Sequence, residues 1–164
     1  LDFSPYTVRE LTEILSKRAE HGLRGSPVTQ RQLERIATWA DGDARLGIAT
    51  LRGAARTSEQ RHSISDDALE IGFETAQREL HEMNLKRLTD HQRIIYDIVV
   101  EDGPVAPIEI YEAYCGRFEE SRSLKTVRKY LKKMRWYGLL ESEGSTRDRR
   151  YDIDTSGYVR SESD

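Results

Sequence analysis

The sequence predicts a mainly α-helical protein in two parts, a small bundle of four helices and then a three-helix unit closed by a β-hairpin. Two observations carry this. Apolar residues recur at helical spacing in one segment after another, with Gly, Pro or a capping residue between them. The stretch from Ser121 to Tyr151 then joins an amphipathic basic helix to a glycine-centred hairpin rich in arginine.

In the first part, Tyr6 to His21 is amphipathic, with Val8, Leu11, Ile14 and Leu15 on one face, Pro5 before it and Gly22 at its end. Ser26-Pro27-Val28-Thr29 leads into a second helix, in which Thr29 is the N-cap and Leu33, Ile36, Ala37 and Ala40 face inward. Asp41-Gly42 stops it, and Asp43 caps a third helix through Ala44, Ile48, Leu51, Ala54 and Ala55. Gly47 and Gly53 lie inside that helix. Each is about 1 kcal/mol worse than Ala in a helix interior, so tertiary packing is expected to compensate. A fourth helix opens at Ser65, where Asp66 and Asp67 suit the positive end of its dipole, and turns Ala68, Leu69, Ala76 and Leu80 inward.

The pattern resets between Met83 and Leu88, which divides the chain into residues 1–84, 85–153 and a polar tail, 154–164. Thr89 or Asp90 caps a helix through Ile94, Ile95, Ile98 and Val99 that ends at Gly103-Pro104. Pro107 opens the next, with Ile108, Tyr111, Cys115 and Phe118 on one face and Cys115 expected as a buried thiol. A polar turn, Glu119 to Arg122, precedes Ser123, the cap of the basic helix, whose apolar stripe is Leu124, Val127, Leu131 and Met134. Leu139 to Ser142 starts an extended segment, Gly144 to Asp148 is the turn, and Arg149 to Ile153 returns. Helix, helix, short turn, basic helix, hairpin is the order of a winged helix-turn-helix.

Composition narrows the function. The formal charge of −3 conceals a segregation: residues 121–151 hold ten Lys/Arg against Glu141, Glu143 and Asp148, a net of +7, which leaves −10 on the rest. Such a patch fits a polyanion even in a protein of acidic pI. Arginine outnumbers lysine and acids are abundant, a composition that fits a salt-adapted source. No apolar run approaches the ~20 residues that span a bilayer, and no signal peptide opens the chain. The single cysteine excludes an internal disulfide and fits a reducing, cytoplasmic setting. His21, His62, His81 and His91 show no metal-ligand spacing, and no constellation of nucleophile and base suggests a catalytic centre. The chain opens at Leu1 without an initiator Met and reads as a piece of something longer.

In the basic helix no acid falls between Ser123 and Leu140, so i,i+4 salt bridging does not explain its charges. Phosphates would relieve their mutual repulsion. Ser123, Lys125, Thr126 and Arg128 sit at the N-terminal end, which meets base edges in such motifs; Lys129, Lys132 and Lys133 suit backbone phosphates. Arg147, Arg149 and Arg150 flank the hairpin turn, where an arginine can enter a minor groove, and strand alternation turns one of Arg149 and Arg150 away. Trp136 and Tyr137, at the end of the helix, fit core or junction packing better than base stacking.

Two stretches together resemble one family. Phe3-Ser4-Pro5-Tyr6, followed by Glu10-Leu11, Ile14-Leu15 and Arg18, looks like the opening of the lid in archaeal replication initiators, AAA+ proteins related to cell division control protein 6 and the largest origin recognition complex subunit. Gly42-Asp43-Ala44-Arg45, then Leu51-Arg52 and Ala54-Ala55, resembles that family's sensor-2 helix, and the second part resembles its C-terminal winged helix. The chain departs from the family in having neither a Gly-x-x-x-x-Gly-Lys-Ser/Thr phosphate loop nor an acidic Walker B strand, and in carrying Gly47 where a better helix former is usual. The resemblance therefore implies a lid and winged helix whose ATPase core lies upstream.

Taken alone, Arg45 is an ordinary surface arginine. The resemblance makes it the sensor-2 residue that reaches the nucleotide phosphates, ATP or ADP with magnesium, held by that core; the chain itself then holds no cofactor and is no enzyme. It implies origin duplex DNA as partner, a replicative helicase and other initiator subunits as further partners, a monomeric state for this portion, and a nucleoid-associated location in the cytoplasm. Two other readings fit a basic winged helix: a transcription regulator with a helical effector or dimerisation domain, and a protein-interaction module.

Overall fold

The computed structural model describes residues 5–23, 28–58, 63–145 and 148–155. Phe3, Ser4, Ser26, Pro27, His62, Arg147 and the tail from residue 156 lie outside them. The described chain forms two compact units that divide between Leu80 and His81.

The first unit holds α1 (Val8–Gly22), α2 (Gln30–Trp39), α3 (Ala44–Thr57) and most of α4 (Asp66–Lys86). Local chemistry sets the starts of the first three. Thr7 with Glu10, and Thr29 with Gln32, form reciprocal capping boxes, and Asp43 accepts the Arg45 backbone N–H. The first box starts α1 two residues later than the apolar pattern suggests. Val8 therefore sits in the first turn, 45% exposed, rather than on the inward face. Leu11, Leu15, Leu33, Ile36, Ala37, Leu51, Ala54 and Leu69 make the core.

The two interior glycines of α3 do find compensation. Gly53 faces Gly72 of α4 so closely that a Cβ added at Gly53 would lie 3.1 Å from the Gly72 Cα. A Cβ on Gly72 would lie 2.6 Å from the Ala54 nitrogen. Only two bare backbones can cross at that separation. Gly47 instead rests on Leu11, Leu15 and Ala40 at ordinary contact distance. Ahead of α3, Gly42 takes φ 82° and its carbonyl accepts the Tyr6 N–H at 3.2 Å, tying the entry of α1 to the α2–α3 turn.

The second unit consists of α5 (Asp90–Asp102), α6 (Pro107–Arg117), α7 (Leu124–Trp136), β1 (Leu140–Glu143) and β2 (Arg150–Ile153), joined by the last turn of α4. Asn84 donates to the Tyr137 carbonyl at 3.1 Å, and Arg93 donates to the Leu85 carbonyl at 2.7 Å, so that turn belongs to this unit. β1 and β2 are antiparallel, with Ser142 opposite Tyr151 and Glu143 opposite Arg150. Val105 adds a single antiparallel rung to β2, exchanging two hydrogen bonds of 2.9 Å with Tyr151. The core joins Ile95, Ile98, Val99, Ile110, Tyr114, Val127, Leu131, Met134, Leu139 and Leu140.

The face of α6 differs from the sequence expectation. Ile110 and Tyr114 point inward, while Ile108 is 48% exposed and Cys115 is an exposed thiol rather than a buried one. The segment carries two interleaved apolar sets, 108/111/115/118 and 110/114. The second is the one that buries Tyr114 with its hydroxyl satisfied, by the His91 ring and the Arg122 backbone N–H at the edge of the core.

Candidate nucleic-acid interface

Helix α7 begins where Ser123 accepts the Thr126 N–H, and Val127, Leu131 and Met134 are fully buried beneath it. That burial fixes the rotation of the helix. Lys125, Arg128, Lys129, Lys132 and Lys133 are consequently all exposed, with Thr126 half-buried beside the cap. Among the described residues none of Lys125, Arg128, Lys129 and Lys132 pairs with an acid. Lys133 lies over the Tyr137 ring, its Nζ 5.5 Å from the centroid. Arg135 is exposed but turned to the hairpin, donating to the Ser142 hydroxyl at 3.0 Å. Trp136 is no core residue: it is 57% exposed, with the Tyr137 ring 5.4 Å away.

The hairpin is electrostatically two-sided. Leu140, Ser142, Tyr151 and Ile153 share the inward face, so Glu141, Glu143, Arg150 and Asp152 share the outward one. Glu141 stands directly opposite Asp152. Arg150, on this face, donates to the Pro104 carbonyl at 3.0 Å and to the Glu109 carboxylate at 3.3 Å. The same Glu109 oxygen accepts the Ala106 N–H at 2.8 Å, at the start of α6. Arg150 thus braces the hairpin against α6. Arg149 is half-buried, and its Nε is buried without a hydrogen-bond partner among the described residues. Arg147 is outside them. The structure therefore gathers the α7 residues into one basic face and sets Arg150 apart from it in an acidic setting. Strand alternation turns one of Arg149 and Arg150 away; which one depends on a partner at Glu109, far away along the chain, that leaves no local signal in the sequence.

In the first unit, Arg45 opens α3 beside its cap. Its Nε and Nη2 reach the two carboxylate oxygens of Asp43 at 3.2 and 2.9 Å, with both side chains partly exposed. The guanidinium is thus already engaged by an anion at the helix N-terminus.

Over 150 residues the chain is 43% identical to ORC1-type DNA replication protein 9 of Halobacterium salinarum, a match that takes in 90% of this chain and 42% of the relative. The chain is a homologue of the ORC1-type DNA replication proteins. Protein 1 of the same type and organism is 35% identical over 130 residues, covering 78% of this chain and again 42% of the relative. The chain thus spans less than half the length of these curated relatives. Among solved structures, the Aeropyrum pernix ORC1 protein in complex with DNA matches the fold with a TM-score of 0.62 at 24% identity, over 93% of this chain and 44% of that one. No protein-family model matches the chain. The mainly helical ORC1-type fold, helices first and a small hairpin last, is that expected from the sequence. No helix among the described residues is long and apolar enough to cross a membrane.

Proposed function

We propose that the chain is the lid and winged-helix portion of a replication initiator that recognises origin DNA. The observation that carries this reading is the uncompensated basic face of α7, held in one orientation by a fully buried stripe. Ser123, Lys125, Thr126 and Arg128 would meet base edges in the major groove, and Lys129, Lys132 and Lys133 the flanking phosphates. Arg147, in the β1–β2 connection, would approach the adjacent minor groove, with Arg149 in support. Arg150 would act from behind, by holding the hairpin. The names of the relatives, and the DNA in the Aeropyrum pernix complex, support this over a transcription regulator or a protein-interaction module.

In the complete initiator an upstream ATPase core would bind ATP or ADP with magnesium. Arg45 would approach its phosphates, coupling lid position to nucleotide state. The further partners would be a replicative helicase and other initiator subunits, in a nucleoid-associated, cytoplasmic setting. The test is competition binding of the chain to origin duplex and random duplex over a range of salt. Preference for the origin is expected, together with an affinity that falls steeply as counter-ions are released less favourably at high salt. Equal affinity for both duplexes, unchanged when Arg128 and Lys132 become Ala, would defeat the reading.

A further inference from the structure

A cluster outside the basic face converges beneath the turn that leads into α7. Tyr114 of α6 is fully buried, and its hydroxyl oxygen accepts the backbone N–H of Arg122 at 2.9 Å. The same oxygen lies 2.7 Å from Nδ1 of His91 on α5. A backbone N–H can only donate, so the phenol accepts from Arg122, which leaves its own proton available for His91. The arrangement that satisfies all three groups has the His91 proton on Nε2 and a bare Nδ1 facing the phenol. Phe118 closes the cluster, with its ring 4.3 Å from that of His91 and 6.1 Å, stacked, from that of Tyr114.

Arg122 immediately precedes Ser123, the N-cap of α7, whose carbonyl accepts the Thr126 and Val127 N–H groups at 2.8 and 3.0 Å. Residues 119–121 are exposed. The Arg122 N–H is therefore the anchor of the turn into the core, one residue before the helix begins. The buried stripe of Val127, Leu131 and Met134 fixes how α7 is rotated. The Tyr114 hydroxyl fixes where its backbone starts.

We propose that Tyr114 and His91 are positioning residues for DNA recognition: through the Tyr114 hydroxyl they set the start of α7, and with it the reach of Ser123, Lys125, Thr126 and Arg128 toward the bases. This rests on the reading of α7 as the recognition helix. His91 acts at one remove. By taking the phenolic proton it leaves the oxygen's lone pairs aimed at Arg122, and a buried hydroxyl without an acceptor would turn away from that geometry.

The experiment uses the whole chain and a duplex that the wild-type chain selects from a random pool, with random duplex as reference. Tyr114→Phe keeps the ring and removes the anchor. It is expected to lose about three- to tenfold in affinity for the selected duplex, the scale of one hydrogen bond. Affinity for random duplex and the salt dependence should stay as in wild type, and exchange of the Arg122 amide should accelerate. His91→Leu should copy this loss, while His91→Gln, which restores an acceptor, should return affinity to within about twofold of wild type. Wild-type discrimination in Tyr114→Phe, or an equal loss on both duplexes, overturns the proposal. A wild-type chain that selects no duplex at all overturns instead the reading of α7 on which it rests.

Discussion

Arg45 is held at two points by Asp43, the residue that also caps the helix Arg45 begins, at 3.2 and 2.9 Å. One carboxylate therefore does two jobs, accepting a backbone N–H and neutralising a guanidinium. If Arg45 reaches a nucleotide phosphate in the complete initiator, the phosphate must compete with Asp43.

That competition is testable because the two jobs of Asp43 can be separated. Asp43→Asn keeps a good N-cap and removes the charge. The pair is partly exposed, with the two side chains 40% and 32% accessible, so the bundle should change by less than about 1 kcal/mol in chemical denaturation. In a protein that carries the nucleotide-binding core, Asp43→Asn should tighten nucleotide binding and Arg45→Ala should weaken it. Identical nucleotide affinity in wild type and both variants would remove Arg45 from any sensing role.

The α3–α4 crossing gives opposite outcomes for two glycines in the same bundle. Gly72→Ala sets a Cβ against the Ala54 nitrogen at 2.6 Å and the Thr50 carbonyl oxygen at 2.8 Å, and backbone atoms cannot step aside. A loss of about 2–3 kcal/mol is expected, the scale of core overpacking. Gly47→Ala meets only side chains, at 3.5 to 3.6 Å, and gains helix propensity. It should stabilise the unit by up to about 1 kcal/mol. Thermal unfolding of the two variants beside wild type decides both signs at once.

Much of this was legible in the sequence because it is local. Thr29, Asp43 and Ser123 act as caps as read, and of the two candidates for α5 it is Thr89 that caps, since a cap needs only the next three residues. The stripe of α7 was legible because Val127, Leu131 and Met134 offer a single apolar set, whereas α6 offers two and only its neighbours choose between them. Val105 was missed because a single rung between Pro104 and Pro107 leaves no period to detect. The basic character of residues 121–151 was plain from composition. That Arg150 faces Glu109 rather than joining the α7 cations was not, because that pairing crosses the fold.

Arg128 and Arg150 should accordingly behave differently on DNA. Arg128 is exposed on the unpaired face, so Arg128→Ala should weaken duplex binding and lower the salt slope by about one. Arg150 is engaged with Pro104 and Glu109, so Arg150→Ala should leave the salt slope unchanged. It should instead loosen the hairpin, lowering stability by about 1 kcal/mol or less for a half-exposed pair. Fluorescence anisotropy over a salt series, with denaturation of the same samples, separates the two effects. A slope reduced equally by both changes would return Arg150 to the DNA face.

The cap of α1 carries a pH signature of its own. The Glu10 carboxylate accepts the Thr7 N–H at 2.9 Å and the Thr7 hydroxyl at 2.8 Å, and these bonds, the backbone one foremost, hold its pKa below the ordinary carboxylate value. A depressed folded-state pKa means the unfolded chain binds the proton more readily. The stabilisation is then present above the unfolded value of about 4.3 and is lost as pH falls through the lower, folded one. Glu10→Gln can still accept the Thr7 N–H but cannot titrate. The difference in denaturation midpoint between wild type and Glu10→Gln should therefore be constant from neutral pH down to about 5, then shrink as the solution is acidified further. Comparing the two variants cancels the carboxylates they share, including Glu101, whose pKa the Arg117 hydrogen bond also lowers. A difference that stays flat down to pH of about 3 would mean that the Thr7–Glu10 box does not form in solution, and that α1 starts where its apolar pattern alone would begin it.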